Sequence, residues 1–196
     1  MKQKGLTLTE LIIVIAIIGA LFSLTVPAYT RMKMSSQEQR AIANLLLIKG
    51  AQLEFRTRNY IDIDGDGIYE FATLGELLGI HNFRDGSNRR LQPALLSTIT
   101  LTTNSSIGTD SAYNYRLYLS TAQDADSINK AEREFTCYAY PKHAGRTGRH
   151  AFGIRYDDTE SATASDIFIK KDVEADFVVD ENSIETWDIV KGPSGS

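Results

Sequence analysis

The chain has 196 residues, 21 Lys and Arg against 25 Asp and Glu, a formal net charge of −4 and a hydrophobic fraction of 42%. That is one domain, or one domain with an appendage, too apolar and too weakly charged to be disordered. A single cysteine excludes an intrachain disulfide and any multi-cysteine zinc or iron–sulfur site, and the mild acidity argues against a general nucleic-acid binder.

The first element is apolar. Met1-Lys2-Gln3-Lys4-Gly5 opens the chain; from Leu11 to Phe22 no side chain is polar, and from Leu6 to Tyr29 the only charge is Glu10. As a helix, the 24 residues from Leu6 to Tyr29 span roughly 36 Å, enough for a hydrocarbon core of about 30 Å. Lys2 and Lys4 precede the run and the next basic residue is Arg31, so the positive-inside rule leaves the N-terminus in the cytoplasm and sends the rest across. A secretory signal fits poorly, because Pro27 interrupts the small residues between Ser23 and Ala28. A lipoprotein signal needs a cysteine just after the run, and Cys137 is far away. A plain signal anchor leaves Glu10 unexplained, since a carboxylate at membrane depth is costly and implies a partner.

Lys4-Gly5, then Leu6-Thr7-Leu8-Thr9-Glu10-Leu11 and the apolar stretch, resembles the class III signal of type IV pilins and type II secretion pseudopilins. The resemblance implies that prepilin peptidase cuts between Gly5 and Leu6 and methylates the new amine of Leu6, leaving Glu10 as the fifth residue. Leu6 departs from the Phe or Met that usually begins the mature chain. Pro27 matches the family's proline near the end of the apolar helix. Cleavage would remove Lys2 and Lys4, leaving 19 basic against 25 acidic residues, or −6 before the termini. In this setting Glu10 of one subunit neutralises the Leu6 amine of a neighbour, so two costly charges are stabilised on assembly. A plainer role for Glu10 is to reach the headgroups or to serve the peptidase.

From Arg31 to Asn59 there is one glycine, Gly50, and no proline. Ala41, Leu45, Ile48 and Phe55 recur near helical spacing, with Ile42, Leu46 and Leu53 alongside and Glu38, Arg40, Lys49, Glu54 and Arg56 on other faces. One helix of roughly 80 Å is expected from about Leu6 to about Arg58, apolar all round and then amphipathic, weakened at Gly19 and Pro27. In filaments of the resembled family that weak stretch can partly unwind.

Next comes Asp62-Ile63-Asp64-Gly65-Asp66-Gly67-Ile68-Tyr69-Glu70. Carboxylates at alternate positions, with glycine after the third, resemble the first half of an EF-hand-type calcium loop. Asp62, Asp64 and Asp66 would be side-chain ligands, Ile68 would offer its carbonyl, and Glu70 would bind directly or through water. The twelfth position is Thr73 instead of a bidentate Glu; Glu76, one turn on, would substitute only with a different geometry. The same residues suit an acidic turn whose Asp side chains bond nearby amides, with no ion. Any bound calcium would serve the fold, not chemistry.

Thr73 to Gly79 reads as a brief helix stopped by glycine. His81 to Thr109 reads as a long surface connection with a short strand or two. Strand signals then cluster at Tyr113–Leu119, Phe135–Tyr140, Ala151–Tyr156 and Ile167–Lys170, with a short helix within Thr121–Glu134 and a turn at Gly145-Arg146-Thr147-Gly148. The expected fold class is α+β: a long N-terminal helix on an antiparallel sheet of about four strands, the pilin fold. The order, with Arg146-Thr147-Gly148 between two strands, is closer to the pseudopilin side of that family. The expected divisions are a leader at 1–5, a transmembrane and filament-core helix at 6–29, its amphipathic continuation at 30–59, a loop and variable region at 60–112, a sheet region at 113–190 and a tail at 191–196.

His81, His143 and His150 lie in loop-like sequence without metal-ligand spacing, and Cys137 reads as a small core residue. The tyrosines of the first two strands fit sheet core and surface pairs better than a binding strip, and Trp187 is expected to pack on the domain. Lys142, His143, Arg146, Arg149 and His150 form a basic loop, by default solvated. No catalytic motif appears. The expected protein is therefore a structural subunit, not an enzyme. It would sit in the inner membrane as a single-pass precursor and then in a periplasmic or surface filament. The resemblance implies pilin-like subunits, the peptidase, an inner-membrane platform and, indirectly, an assembly ATPase as partners, with lipid around it before assembly and no nucleic acid. The rival is a membrane-anchored, calcium-dependent binding domain that never polymerises; Glu10 separates the two, since a simple anchor has no use for it.

Overall fold

The structure is a computed structural model and describes residues 7–102, 106–120, 124–158, 167–174 and 177–190. The leader, with Gly5 and Leu6 at the expected cleavage point, and the tail at 191–196 lie outside the described residues. Helix α1 is Leu8–Thr57 and runs unbroken through Pro27. Proline lacks the N–H that would serve the carbonyl four residues back, yet the helix does not stop there. The hydroxyls of Ser23, Thr25 and Thr30 bond back to the carbonyls of Ala20, Leu21 and Pro27 at 2.7, 2.9 and 3.0 Å. These hydroxyls are thereby satisfied without water.

The two halves of α1 live in different surroundings. Leu11, Ile12, Ile13, Val14, Ile15, Ile17, Ile18, Leu21 and Phe22 are all exposed, because nothing among the described residues packs there. Further on, Met34, Ala41, Leu45, Ile48, Ala51 and Phe55 turn one stripe inward. Leu46 and Leu47 fall off that stripe and are about half exposed.

Among the described residues the sheet has seven antiparallel strands in sequential order: β1 (Thr100–Leu101), β2 (Ile107–Thr109), β3 (Tyr113–Tyr118), β4 (Glu134–Pro141), β5 (Ala151–Asp157), β6 (Ile167–Lys170) and β7 (Asp188–Val190). About four strands were expected in the sheet region and a short strand or two within His81–Thr109; β1 and β2 fall in that stretch, and β7 is the addition, at the opposite edge of the sheet. These three are two or three residues long, too short to show alternation, and pairing defines them: β1 with β2, β2 with β3 and β7 with β6. Helix α2 (Leu74–Leu77) starts at Thr73 and gives way to Gly79 at φ +64°. Helix α3 (Ala125–Arg133) is capped by Asp124 and runs directly into β4.

Alternation along the strands divides two cores. Tyr113 and Tyr115 of β3, Cys137 and Ala139 of β4 and Phe152 and Ile154 of β5 face α1. Tyr138 and Ala151 face the other way, where Val173, Val179, Ile184 and Trp187 cover them. Trp187 stacks edge-on to Tyr138 at 5.1 Å, packing on the domain as expected. Cys137 is fully buried and burial pushes its thiol well up, so it behaves as a core residue.

Polar contacts fix where α1 crosses the sheet. Asn44 donates to the Tyr115 hydroxyl at 2.8 Å, and that hydroxyl donates to Asp110 at 3.1 Å. Glu38 accepts from the backbone N–H groups of Arg149 and His150 at 2.7 and 3.3 Å. The basic loop thus meets α1 through its backbone. His150 accepts from the Asp172 N–H at 3.2 Å and is only half-buried, and His81 and His143 are exposed.

Candidate functional site

Two regions carry chemistry. At the head of α1, Thr7 is the N-cap and Glu10 closes a capping box. Glu10 Oε2 accepts from the Thr7 N–H and hydroxyl, both at 2.8 Å, while the Thr7 hydroxyl accepts from the Glu10 N–H at 3.3 Å. This corrects the expectation that a simple anchor has no use for Glu10: within one chain the carboxylate already serves its own helix end. Pro27 lies more than four turns further along, inside the exposed apolar half.

The second region is the loop after α1. Gly65 and Gly67 take φ +79° and +87°, which bends the chain back sharply. Asp62 accepts from the N–H groups of Gly65 (2.6 Å) and Gly67 (3.2 Å), Asp64 from Asp66 (3.3 Å), and Asp66 from Ile68 (2.7 Å). These are the turn bonds expected of aspartates in such a loop. The bends also gather the three side chains: one carboxylate oxygen each from Asp62, Asp64 and Asp66 lies within 4.8 Å of the others. Glu70 is fully buried; its Oε1 accepts from the Ile63 N–H at 2.9 Å, and its Oε2 has no hydrogen-bond partner. Ile68 is exposed at the rim.

Thr73 and Glu76 do not join this group. Glu76 Oε2 accepts from the Thr73 N–H and hydroxyl at 2.7 and 2.9 Å, capping α2, and Oε1 accepts from the Arg84 N–H at 2.9 Å. Glu76 is therefore withdrawn as a substitute for the twelfth loop position. Another carboxylate near the loop is Glu132, in the last turn of α3. The Phe71 N–H donates to the Ala131 carbonyl at 3.0 Å, which docks that turn beside the loop's exit. Glu132 is fully buried and neither carboxylate oxygen has a partner. Burial pushes its carboxyl up to about 7, and the nearby charges of Asp66, Asp64 and Glu70 add to the rise. Burial likewise raises Glu70, which the Ile63 N–H and the charge of Arg84 partly offset. No motif in the sequence links Glu132 to the loop; on an isolated helix it reads as a solvated residue.

A long helix whose first half is exposed and whose second half lies across an antiparallel sheet is a pilin-like α+β architecture. Residues 1–26 match the family model described as the prokaryotic N-terminal methylation motif. The chain is also similar to the type II secretion system core protein G of Escherichia coli (strain K12), 36% identical over 94 residues, which are 46% of this chain and 64% of that relative. The match thus takes in less than two thirds of the relative's length. No solved structure matches. The resemblance to pilins and pseudopilins holds, and with it an apolar N-terminal helix headed by a methylation motif.

Proposed function

We propose that the chain is a structural subunit of a type II secretion pseudopilus or a related pilus-like filament. Prepilin peptidase cuts it after Gly5 and methylates Leu6, and it polymerises through Leu6 to Tyr29. The observation that carries this reading is the exposed apolar half of α1 directly behind a methylation motif. That half is long enough to cross a bilayer, so lipid covers it before assembly and the like helices of neighbouring subunits cover it afterwards. The sheet domain then stays outside. Similarity to a core secretion protein favours the pseudopilus. Like subunits, the peptidase and an inner-membrane platform are the partners this implies.

Glu10 has two separable roles in this reading, capping its own helix and pairing with the Leu6 amine of a neighbour. Glu10→Gln keeps the cap, since Gln serves at that position of a capping box, and removes the charge. Glu10→Ala removes both. Expressed beside wild-type subunits, both variants are expected to reach the membrane and to be lost from sheared filaments. Normal incorporation of Glu10→Gln would refute the pairing role.

The rival, an anchored domain that never polymerises, gains one observation: the capping box gives Glu10 a use in an isolated chain. Failure of both variants and the wild type to enter any filament favours that rival.

A further inference from the structure

We propose that Asp62, Asp64, Asp66, Ile68, Glu70 and Glu132 form a calcium site, with Glu132 of α3 as the bidentate ligand that the loop itself lacks. The loop alone is an acidic turn whose internal bonds need no ion. What points to a ligand is Glu132, brought in from another element, wholly buried, with both oxygens unpartnered, and close enough to Asp64 and Asp66 to feel their charges. A second buried oxygen, Glu70 Oε2, also lacks a partner. Buried carboxylates without donors are costly, and Arg84 and Arg133 are the cations acting on Glu70 and Glu132. Arg84 is engaged elsewhere, with Nε 3.4 Å from Glu76 and a guanidinium N–H donating to the Phe71 carbonyl.

The donor set suits calcium. The structure gathers the three aspartate oxygens; on binding, the partnerless Glu70 Oε2 and both oxygens of Glu132 would bring the set to six, and the Ile68 carbonyl to seven, inside the range of about 6–8 oxygens that calcium takes. Asp62, Asp64, Asp66, Ile68 and Glu70 occupy positions 1, 3, 5, 7 and 9 of an EF-hand-type loop, with Gly67 at position 6. Position 12 is Thr73, committed to the cap of α2. Glu132 takes over its duty from 59 residues beyond Thr73, so the ion ties the end of α1 to the junction of α3 and β4. The turn bonds to Asp62 and Asp66 do not compete, since each carboxylate oxygen has a further lone pair. This inference stands apart from filament assembly: either could fail without the other.

The test is calcium chloride titrated into the chelator-treated full chain in detergent micelles, read by calorimetry and by thermal unfolding. Binding is expected in the range of extracellular modules, about 10⁻⁴ to 10⁻³ M or tighter. At calcium one hundredfold above Kd the midpoint is expected to rise by about 5–10 °C. Magnesium at the same concentration is expected to give a smaller rise, because it demands a smaller octahedral cage. Glu132→Gln is expected to weaken calcium by about tenfold or more while leaving the metal-free midpoint no lower, since it removes a buried charge. No response to millimolar calcium overturns the site, and wild-type affinity in Glu132→Gln overturns the ligand role of Glu132. Should Glu132→Gln fail to fold, Asp64→Asn, at an exposed position, decides the site: a similar loss supports it and unchanged affinity overturns it.

Discussion

Gln52 is buried on the inner face of α1, and its amide pairs with the backbone of Ala72 as a neighbouring strand would. Nε2 donates to the Ala72 carbonyl at 2.6 Å, and the Ala72 N–H donates to Oε1 at 2.8 Å. Both residues are 0% exposed. Gln52→Met keeps most of the volume and strands two backbone groups where water cannot reach. Each orphan costs about 1–3 kcal/mol, so the pair costs about 2–6 kcal/mol. For a domain of this size, 1 kcal/mol moves the midpoint by about 2–4 °C, which gives a fall of about 4–24 °C. Thermal unfolding of the full chain in micelles, followed by the fluorescence of Trp187, reads it. Gln52→Glu adds a pH test of the same geometry. A buried carboxylate keeps the acceptor but faces the Ala72 carbonyl, so its pKa rises above the unperturbed value of about 4.3. Its protonated form restores the donor. Stability of that variant is therefore highest at acidic pH and is lost as pH rises through the raised value. A Gln52→Met midpoint within about 1 °C of wild type would show that the segment after the Asp-Gly loop is not held by α1 in this way.

Gly148→Ala places a Cβ 2.0 Å from the hydroxyl oxygen of Tyr113, a fully buried ring whose O–H donates to the His150 carbonyl at 2.9 Å. The ring must move, and a loss of about 1–3 kcal/mol is expected in denaturant unfolding. Phe55 and Leu46 test the stripe on α1. Phe55 is fully buried, with ring centroids of Tyr60 and Phe83 at 5.0 and 5.6 Å, so Phe55→Ala is expected to cost about 3–5 kcal/mol. Leu46→Ala on the exposed side is expected to stay within about 0.5 kcal/mol of wild type.

The features legible in the sequence are those with local causes. The apolar run, Glu10 and Pro27 lie at fixed spacing along one element. Tyr113–Tyr118 and Glu134–Pro141 carry enough aromatic and β-branched residues to declare themselves as strands. Thr73 and Glu76 are a capping-box pair three residues apart, and the helix they start is where the glycine signal put it. Asp62, Asp64 and Asp66 converge because two glycines at positive φ bend the chain between and after them. The features that stayed hidden depend on tertiary contact. Glu132 sits in Lys130-Ala131-Glu132-Arg133, where every sequence signal says surface, and only the docking of Ala131 on Phe71 buries it. Gln52 looks like any polar helix residue until Ala72 passes beside it. The short strand β7 exists because β6 offers an edge to pair with. The second role of Glu10 was hidden differently: Thr7 three residues before it is a cap signal, overshadowed by the membrane reading of the same residue.

The filament-subunit reading rests on processing at the head of α1, and the intact mass of the chain extracted from membranes tests it most directly. Expressed with a prepilin peptidase, the protein is expected to have lost Met1 to Gly5 and to carry one added methyl group on Leu6. A mass corresponding to the uncut chain from Met1 would contradict it.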